Sequence, residues 1–141
     1  MKCLSINLVM DQIPKGTAQM KRANFRNGTF FEGKDIKAAR QFYLSEIGPE
    51  APEMPFKGPL SVSVEFYYPV KDKRKKGQFK TSRPDCDNLV KLLLDCMTQL
   101  RFWNDDAQVV REISSKKWSD EPCGIEIEVV PLETIDRRQD A

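Results

Sequence analysis

The chain has 141 residues, of which 40% are hydrophobic and 31% are charged, and its formal net charge is +2. This length suits one domain with its own core, and the composition is that of a soluble globular protein. No apolar run approaches the roughly 20 residues that a membrane-spanning helix needs. The first eight residues alternate polar and apolar side chains, which predicts a strand rather than a signal peptide.

The cysteine and histidine content limits the chemistry. Four cysteines, at positions 3, 86, 96 and 123, include no pair at C-x-x-C spacing, and the chain contains no histidine. A zinc site is therefore not expected, and the cysteines are predicted to be reduced thiols in a cytoplasmic protein. Because histidine is the commonest general base, any hydrolysis here would depend on carboxylates, lysine and a metal ion.

The first half of the chain predicts a strand, a short hairpin and a helix. Residues 3–10 have the alternation of a strand, and Asn27-Gly28 signals a hairpin turn. Four apolar residues then recur at helical spacing: Ile36, Ala39, Tyr43 and Ile47. They predict a helix that begins near Lys34 and ends at Gly48-Pro49. Four prolines between positions 49 and 59 predict an irregular connector.

The second half predicts a strand, a helix and two further strands. Alternate residues of the first of these strands are apolar: Leu60, Val62, Val64, Phe66 and Tyr68. A helix from about Asp87 to Arg101 has a broad apolar face: Leu89, Val90, Leu93, Cys96, Met97 and Leu100. Strands follow at 108–118 and 125–129. The order βαβαββ with the extra hairpin predicts an α+β fold, in which one small mixed sheet carries two helices. The domain is predicted to span residues 1–131, with 132–141 as a polar tail.

The charge is distributed unevenly. Residues 71–83 carry seven basic side chains and one acid, a charge of +6, which leaves −4 for the remainder. Such a run indicates a polyanionic partner, and its basic side chains are candidate contacts to DNA phosphates. These candidates are Lys71, Lys73, Arg74, Lys75, Lys76, Lys80 and Arg83, and an upstream group could extend their surface: Lys15, Lys21, Arg22 and Arg26. Phe79, within the run, either stacks on an unpaired base or anchors the loop to the core.

Four acidic residues bracket the second predicted helix. Asp85 and Asp87 stand at its start, and Asp105 and Asp106 follow its end. Clustered carboxylates repel each other unless a cation offsets the repulsion, and Mg²⁺ takes such hard oxygen ligands while leaving positions for phosphate oxygens. One of the later pair would join Asp85 and Asp87 if the following strand runs back beside the start of the helix.

Each of these residues also has a purely structural interpretation. Asp87 would cap the helix, and Lys91 and Asp95 would form a surface pair four residues apart. Asn104-Asp105 would form a turn, and Lys71 to Lys76 would lie in a solvated loop. Their occurrence together within residues 71–106 nevertheless favours a functional site.

The chain resembles the RusA family of Holliday-junction resolvases over this region. That family's signature is D-x-D-N-L-x-K, a helix, and D-D before a strand. The matching residues are Arg83-Pro84-Asp85-Cys86-Asp87-Asn88-Leu89-Val90-Lys91, then Leu94-Asp95, then Trp103-Asn104-Asp105-Asp106-Ala107-Gln108-Val109. The resemblance is specific from Arg83 to Lys117 and weaker upstream, where Ile13-Pro14-Lys15 and the strand before the basic run are similar.

The resemblance implies a Mg²⁺-dependent endonuclease that works as a homodimer. Such an enzyme resolves four-way DNA junctions by paired symmetric nicks in recombination or repair. The resemblance assigns catalysis to Asp85, Asp87, Lys91 and Asp106. It assigns metal binding to the three aspartates, with Asp105 as a further candidate ligand. Mn²⁺ is expected to substitute for Mg²⁺. Neither an organic cofactor nor a membrane is expected, and the setting would be the cytoplasm of a bacterium or of a phage-infected or lysogenic host.

In the mechanism expected for such an enzyme, the metal polarises the scissile phosphate and lowers the pKa of a bound water, while Lys91 stabilises developing charge or orients the water.

Two other functions stay open at this point. A non-catalytic branched-DNA-binding protein would instead be indifferent to the metal. A magnesium nuclease that prefers flaps or forks would differ only in its substrate.

Overall fold

The computed structural model describes residues 2–15, 21–24, 29–120 and 122–133, with the backbone alone for 21–24 and 29–32. These ranges contain six strands and two helices: β1 (Leu4–Met10), β2 (Lys21–Asn24), β3 (Thr29–Glu32), α1 (Lys34–Ile47), β4 (Leu60–Pro69), α2 (Cys86–Gln99), β5 (Val109–Ser119) and β6 (Cys123–Pro131). The predicted order of elements is confirmed, including the hairpin of β2 and β3. The predicted Asn27-Gly28 turn and residues 134–141 of the predicted tail lie outside the described residues.

The main sheet has four strands in the order β1-β6-β4-β5. Strand β6 pairs antiparallel with β1 and β4, whereas β5 pairs parallel with β4, so the sheet is mixed as predicted. Strands β2 and β3 form a separate antiparallel ribbon. Glycine is needed at position 124 of β6, because a Cβ atom there would lie 2.5 Å from the carbonyl oxygen of Leu8 in β1.

Helix α2 connects β4 to the parallel strand β5, so the helix runs opposite to both strands. Its start therefore lies beside the carboxyl ends of β4 and β5, and its end lies beside their beginnings. One hydrogen bond lies at each end. Lys116, near the end of β5, donates to the carbonyl of Pro84, just before α2, at 2.7 Å. Gln108, just before β5, donates to the carbonyl of Phe56, which precedes β4, at 2.9 Å. This direction decides where the acidic residues lie.

One hydrophobic core joins the sheet to the two helices. Helix α1 buries its predicted face. Helix α2 buries five of the six residues predicted for its apolar face and also Leu92, whereas Leu100 follows the helix and is only partly buried. All four cysteines lie in the described ranges and none forms a disulfide; Cys96 and Cys123 are part of the core. No helix in the described part of the chain is long and apolar enough to cross a membrane.

Helix α2 ends at Gln99, two residues before the predicted end. Arg101 adopts a left-handed backbone conformation with φ 66°, and the N–H of Phe102 donates to the carbonyl of Met97 at 3.1 Å. These features close the helix as a C-cap does. Phe102 and Trp103 are then fully buried, and the Trp103 indole donates to Oγ1 of Thr98 at 2.8 Å. The turn that carries Asp105 and Asp106 is thereby held against the end of α2.

Candidate nuclease site

Asp85 and Asp87 lie at the start of α2, as predicted. Asp85 is the N-cap residue and its carbonyl accepts from the N–H of Leu89 at 3.1 Å, but its side chain makes no capping hydrogen bond. Asp87 lies in the first turn and is exposed. The partial positive charge of a helix N-terminus stabilises carboxylates in this position. Neither carboxylate hydrogen-bonds to another described residue, so both remain open to a ligand.

Two lysines hold the segment that leads into Asp85, and we call Lys80 and Lys116 the lysine clamp. Lys80 donates to the carbonyl and hydroxyl of Ser82 at 3.1 and 2.6 Å and to the carbonyl of Arg83 at 2.5 Å. Lys116 donates to the carbonyls of Ser82 and Pro84, both at 2.7 Å. The Arg83–Pro84 peptide bond is cis. Because three successive carbonyls accept from fixed ammonium groups, the backbone path to Asp85 is set by the fold.

The structure does not favour the predicted contact between Lys80 and DNA. Only 8% of this residue is exposed, and its ammonium group lies 5.0 Å from the ring centroid of Tyr68 and 5.1 Å from that of Trp118. Burial, followed by the nearby charge of Lys116, lowers the pKa of Lys80 below its usual 10.5. Lys80 cannot reach a phosphate without giving up its clamp hydrogen bonds. Sequence analysis did not single out Lys116 or Trp118 either, although their alternate positions on β5 place them on one side of that strand.

The remaining basic side chains of the run are exposed, but two of them have acidic partners. Arg74 pairs with Asp72 at 3.0 Å, and Lys76 pairs with Asp120 at 2.5 Å. Among the described residues, the other predicted phosphate contacts form no ion pair: Lys71, Lys73, Lys75 and Arg83. These four are therefore the strongest candidates for contacts to DNA. Lys15 is exposed as well, whereas the side chains of Lys21, Arg22 and Arg26 lie outside the described residues.

Phe79 does not anchor the basic loop to the core. It is 66% exposed, and the Lys117 ammonium lies 5.4 Å from its ring centroid. The loop is attached instead by backbone hydrogen bonds to β5, among them Lys80 N–H to the Lys116 carbonyl and Trp118 N–H to the Gln78 carbonyl, each 2.9 Å long. Of the two interpretations of Phe79, only stacking on a base remains a prediction.

Asp105 and Asp106 occupy a short 3-10 turn before β5. The Asp105 carboxylate accepts from the N–H of Ala107 at 2.9 Å, and the Gln108 side chain accepts from the N–H of Asp105 at 3.0 Å. The hydrogen bond from Ala107, followed by one with the Asp106 side chain, lowers the pKa of Asp105. Asp105 thus has the turn-forming role that its structural interpretation predicted, and Asp106 is exposed beside it.

Helix α2 separates the two acidic pairs. Its 14 residues rise about 1.5 Å each, which places the pairs roughly 20 Å apart along the helix. Strand β5 does run back beside the start of α2, but Asp106 precedes the first residue of that strand and lies at the far end. Among the described residues, no three Asp, Glu or Cys side chains lie close enough to hold a metal ion. In the described structure Asp106 therefore does not meet Asp85 and Asp87 within one chain, and the predicted metal-binding role of the three aspartates stays a prediction.

Lys91 lies one helical turn after Asp87 on the same side of α2 and is exposed. Within the part of the chain that the structure describes, it forms no ion pair with Asp87 or with Asp95. The surface pair of Lys91 and Asp95 is thus not formed.

The sequence is similar to one family model and to two known proteins. The family model described as endodeoxyribonuclease RusA matches residues 12–130. A Lactococcus phage r1t protein named crossover junction endodeoxyribonuclease rusA is 52% identical over 74 residues, which is 52% of this chain and 56% of that protein. The match therefore spans little more than half of the phage protein's length. The uncharacterized protein YqaN of Bacillus subtilis strain 168 is 30% identical over 135 residues, 86% of this chain and 92% of that protein.

Proposed function

Because this chain belongs to the RusA endodeoxyribonuclease family, we propose that it is a Mg²⁺-dependent enzyme that resolves four-way DNA junctions by paired symmetric nicks. The observation that carries the proposal is the position of Asp85 and Asp87, whose carboxylates have no hydrogen-bond partner among the described residues and stand beside an exposed basic loop. Carboxylates alone would repel the phosphates that such a loop attracts. A metal ion between them removes this conflict.

The donor set at the start of α2 fits Mg²⁺, with Mn²⁺ as a substitute. Carboxylate oxygens are the hard ligands that this ion prefers, and neither Asp85 nor Asp87 has to break a hydrogen bond within the described protein to bind it. When bound, the ion would polarise a phosphate and lower the pKa of a water molecule. The lysine clamp keeps the backbone before Asp85 in one position, which favours a preorganised pair of ligands.

We propose that the third aspartate comes from a second copy of the chain. Asp106 lies roughly 20 Å from the start of α2 in its own protomer, by the helical rise. In a two-fold dimer, the start of α2 in one protomer can face Asp106 of the other, and both protomers then complete one site each. Two symmetric sites suit a four-way junction, in which two opposed strands are cut.

The other side chains have distinct roles in this proposal. Lys91 stabilises negative charge that develops on the phosphate oxygens during strand cleavage. The exposed cations of the basic loop bind backbone phosphates, which contributes affinity without base recognition: Lys71, Lys73, Lys75 and Arg83. A phage or prophage setting is proposed for this activity, in recombination or repair.

The test incubates the purified protein with a labelled four-way junction and with a matched linear duplex, in Mg²⁺ or in EDTA. We expect symmetric nicks in the junction alone, lost in EDTA and in Asp87→Asn while this variant still binds the junction. Asp95→Asn is the matched control, because Asp95 lies on the same helix two turns further on and has no proposed role. It should cut as fast as the unmodified protein.

The same experiment separates the alternatives. Binding without cutting in any divalent metal would indicate a branched-DNA-binding protein and would contradict the proposal. Faster cutting of a flap or a fork than of the junction would indicate a magnesium nuclease with another structural specificity. Full activity of a folded Asp87→Asn variant would show that this carboxylate is not a metal ligand.

A further inference from the structure

A cavity of about 540 Å³ lies against Asp85, and its other lining residues include none of the proposed catalytic groups. Apolar and aromatic side chains form much of its wall: Ile13, Pro14, Tyr68 and Trp118. Charged and amide side chains also line it: Lys15, Arg83, Asp85 and Asn88. It therefore combines flat apolar surfaces with cations, directly beside the proposed metal ligands.

The aromatic part of this wall is preformed. Tyr68 and Trp118 are partners in the parallel pairing of β4 and β5, and their ring centroids lie 6.5 Å apart at an interplanar angle of 71°. The Lys80 ammonium lies about equally close to both rings and is tethered to the carbonyls of Ser82 and Arg83. Such cation–π contacts favour one arrangement of the rings. The stacking surface is thus held by the same clamp that positions Asp85.

We propose that this cavity receives an unpaired nucleobase of branched DNA, from the nucleotide next to the phosphate that binds at Asp85 and Asp87. The inference rests on the proposed nuclease function and deepens it. Aromatic rings stack on the flat face of any base. The half-buried Asn88 amide makes no hydrogen bond to the described protein and carries both a donor and an acceptor for a base edge. Lys15 and Arg83 attract the backbone of the same nucleotide.

A base bound in this cavity would make cleavage depend on the structure of the DNA. Moving a base out of a duplex costs the energy of its pairing and stacking, and this cost is smallest for a base that is already unpaired. Bases at a branch point lose stacking neighbours across the junction, so moving one out of its helix costs less there than in a linear duplex. The cavity would therefore be a specificity determinant that admits the scissile phosphate of a junction more readily than that of a duplex.

The test uses junctions in which one nucleotide near the branch point is replaced by an abasic analogue, one position at a time. Affinity is measured by fluorescence anisotropy in EDTA, so that cutting does not interfere. We expect one abasic position in each symmetry-related strand pair to weaken binding by about tenfold, the size of one lost stacking contact. Trp118→Ala should bind the intact junction about tenfold more weakly and show no further loss at that abasic position.

Val110→Ala is the matched control, because Val110 is an exposed apolar residue of β5, the strand that carries Trp118, and does not line the cavity. This variant should keep the full effect of the abasic position. If Trp118→Ala does not fold, Asn88→Ala replaces it, with the same loss of sensitivity expected. Additive losses in the variant and the abasic junction, or no sensitive position in the unmodified protein, would overturn the proposal.

The outcomes also separate this inference from the proposed function. Cutting of junctions with no abasic sensitivity would overturn the base-binding cavity and leave the nuclease intact. Abasic sensitivity that requires Trp118, in a protein that cuts nothing in Mg²⁺, would support the cavity and contradict the nuclease. Absence of binding to any junction would overturn both.

Discussion

Lys80 and Lys116 donate to the same acceptor, the carbonyl oxygen of Ser82, at 3.1 and 2.7 Å. Lys80 belongs to the basic run of residues 71–83, and Lys116 belongs to β5. The carbonyls of Ser82, Arg83 and Pro84 offset the repulsion between these like charges, and charge-assisted hydrogen bonds are stronger than neutral ones. The pair therefore connects three parts of the molecule at the point where the chain enters α2: the loop, the edge strand and the acidic motif.

Removing the buried ammonium should destabilise the protein. We expect Lys80→Met to lower the free energy of unfolding by about 2 kcal/mol, because net contributions of hydrogen bonds from charged groups are roughly 1.5–3 kcal/mol and methionine keeps most of the apolar stem. Urea denaturation measures this value. Lys75→Met, at an exposed position of the same loop, should change stability by less than about 0.5 kcal/mol. Equal losses in the two variants would contradict a special role for Lys80.

A shared active site predicts rescue between two inactive variants. Asp87→Asn and Asp106→Asn should each abolish cutting alone, but a mixture that exchanges subunits should regain activity. In a mixed dimer, one site combines an intact Asp87 with an intact Asp106 from the other protomer, and the second site lacks both. The product on a labelled junction should be a nick in one strand. If each site used only its own chain, no mixture would recover activity.

The basic loop predicts a graded dependence of DNA binding on salt. Lys73→Gln and Lys75→Gln remove exposed cations without an ion-pair partner among the described residues, so each should reduce the slope of log affinity against log salt by about one. Arg74→Gln is the control, because Asp72 already offsets that charge. It should reduce the slope by less. The measurement is a binding titration at several salt concentrations. Equal slopes for the three variants would show that Lys73 and Lys75 contribute no more to DNA binding than Arg74 does.

Glu65 on β4 predicts a dependence of stability on acid pH. Burial raises the pKa of its carboxyl, but hydrogen bonds from Lys117 and Tyr67 outweigh burial, and the pKa lies below its usual 4.5. The folded protein therefore binds fewer protons here than the unfolded chain. This contribution to stability is present above pH 4.5 and is lost as the pH falls through the lowered pKa.

The variant Glu65→Gln tests this pH dependence. Unfolding free energies at about pH 7 and about pH 3.5 should show a smaller difference between variant and unmodified protein at the lower pH. Glu128→Gln, at an exposed position of β6 with no ion pair in the described structure, is the control and should show no such change. If the stability difference between Glu65→Gln and the unmodified protein is the same at both pH values, the hydrogen bonds of Glu65 with Lys117 and Tyr67 are not the source of the pH dependence.

Local patterns were sufficient for the secondary structure. The alternation in β4 and the apolar face of α2 are properties of one segment each, and burial of every second residue or of one helical face follows from backbone geometry. Asp85 and Asp87 could be placed at a helix start for the same reason. The burial of Lys80 could not be predicted, since the other basic residues of the run are exposed while Tyr68, Trp118 and Lys116 reach it from distant strands.

The sequence by itself determined the order of elements, the family signature and the identity of the candidate acids, because these depend on residue type and spacing along one segment. Only the tertiary structure decided which of them meet. Strand β5 pairs parallel with β4, so α2 must run opposite to both, and Asp106 is carried to the end of the helix that is remote from Asp85 and Asp87. Strand direction is a property of the whole sheet, and it turns four acids around one helix into two separate pairs that one protomer cannot combine.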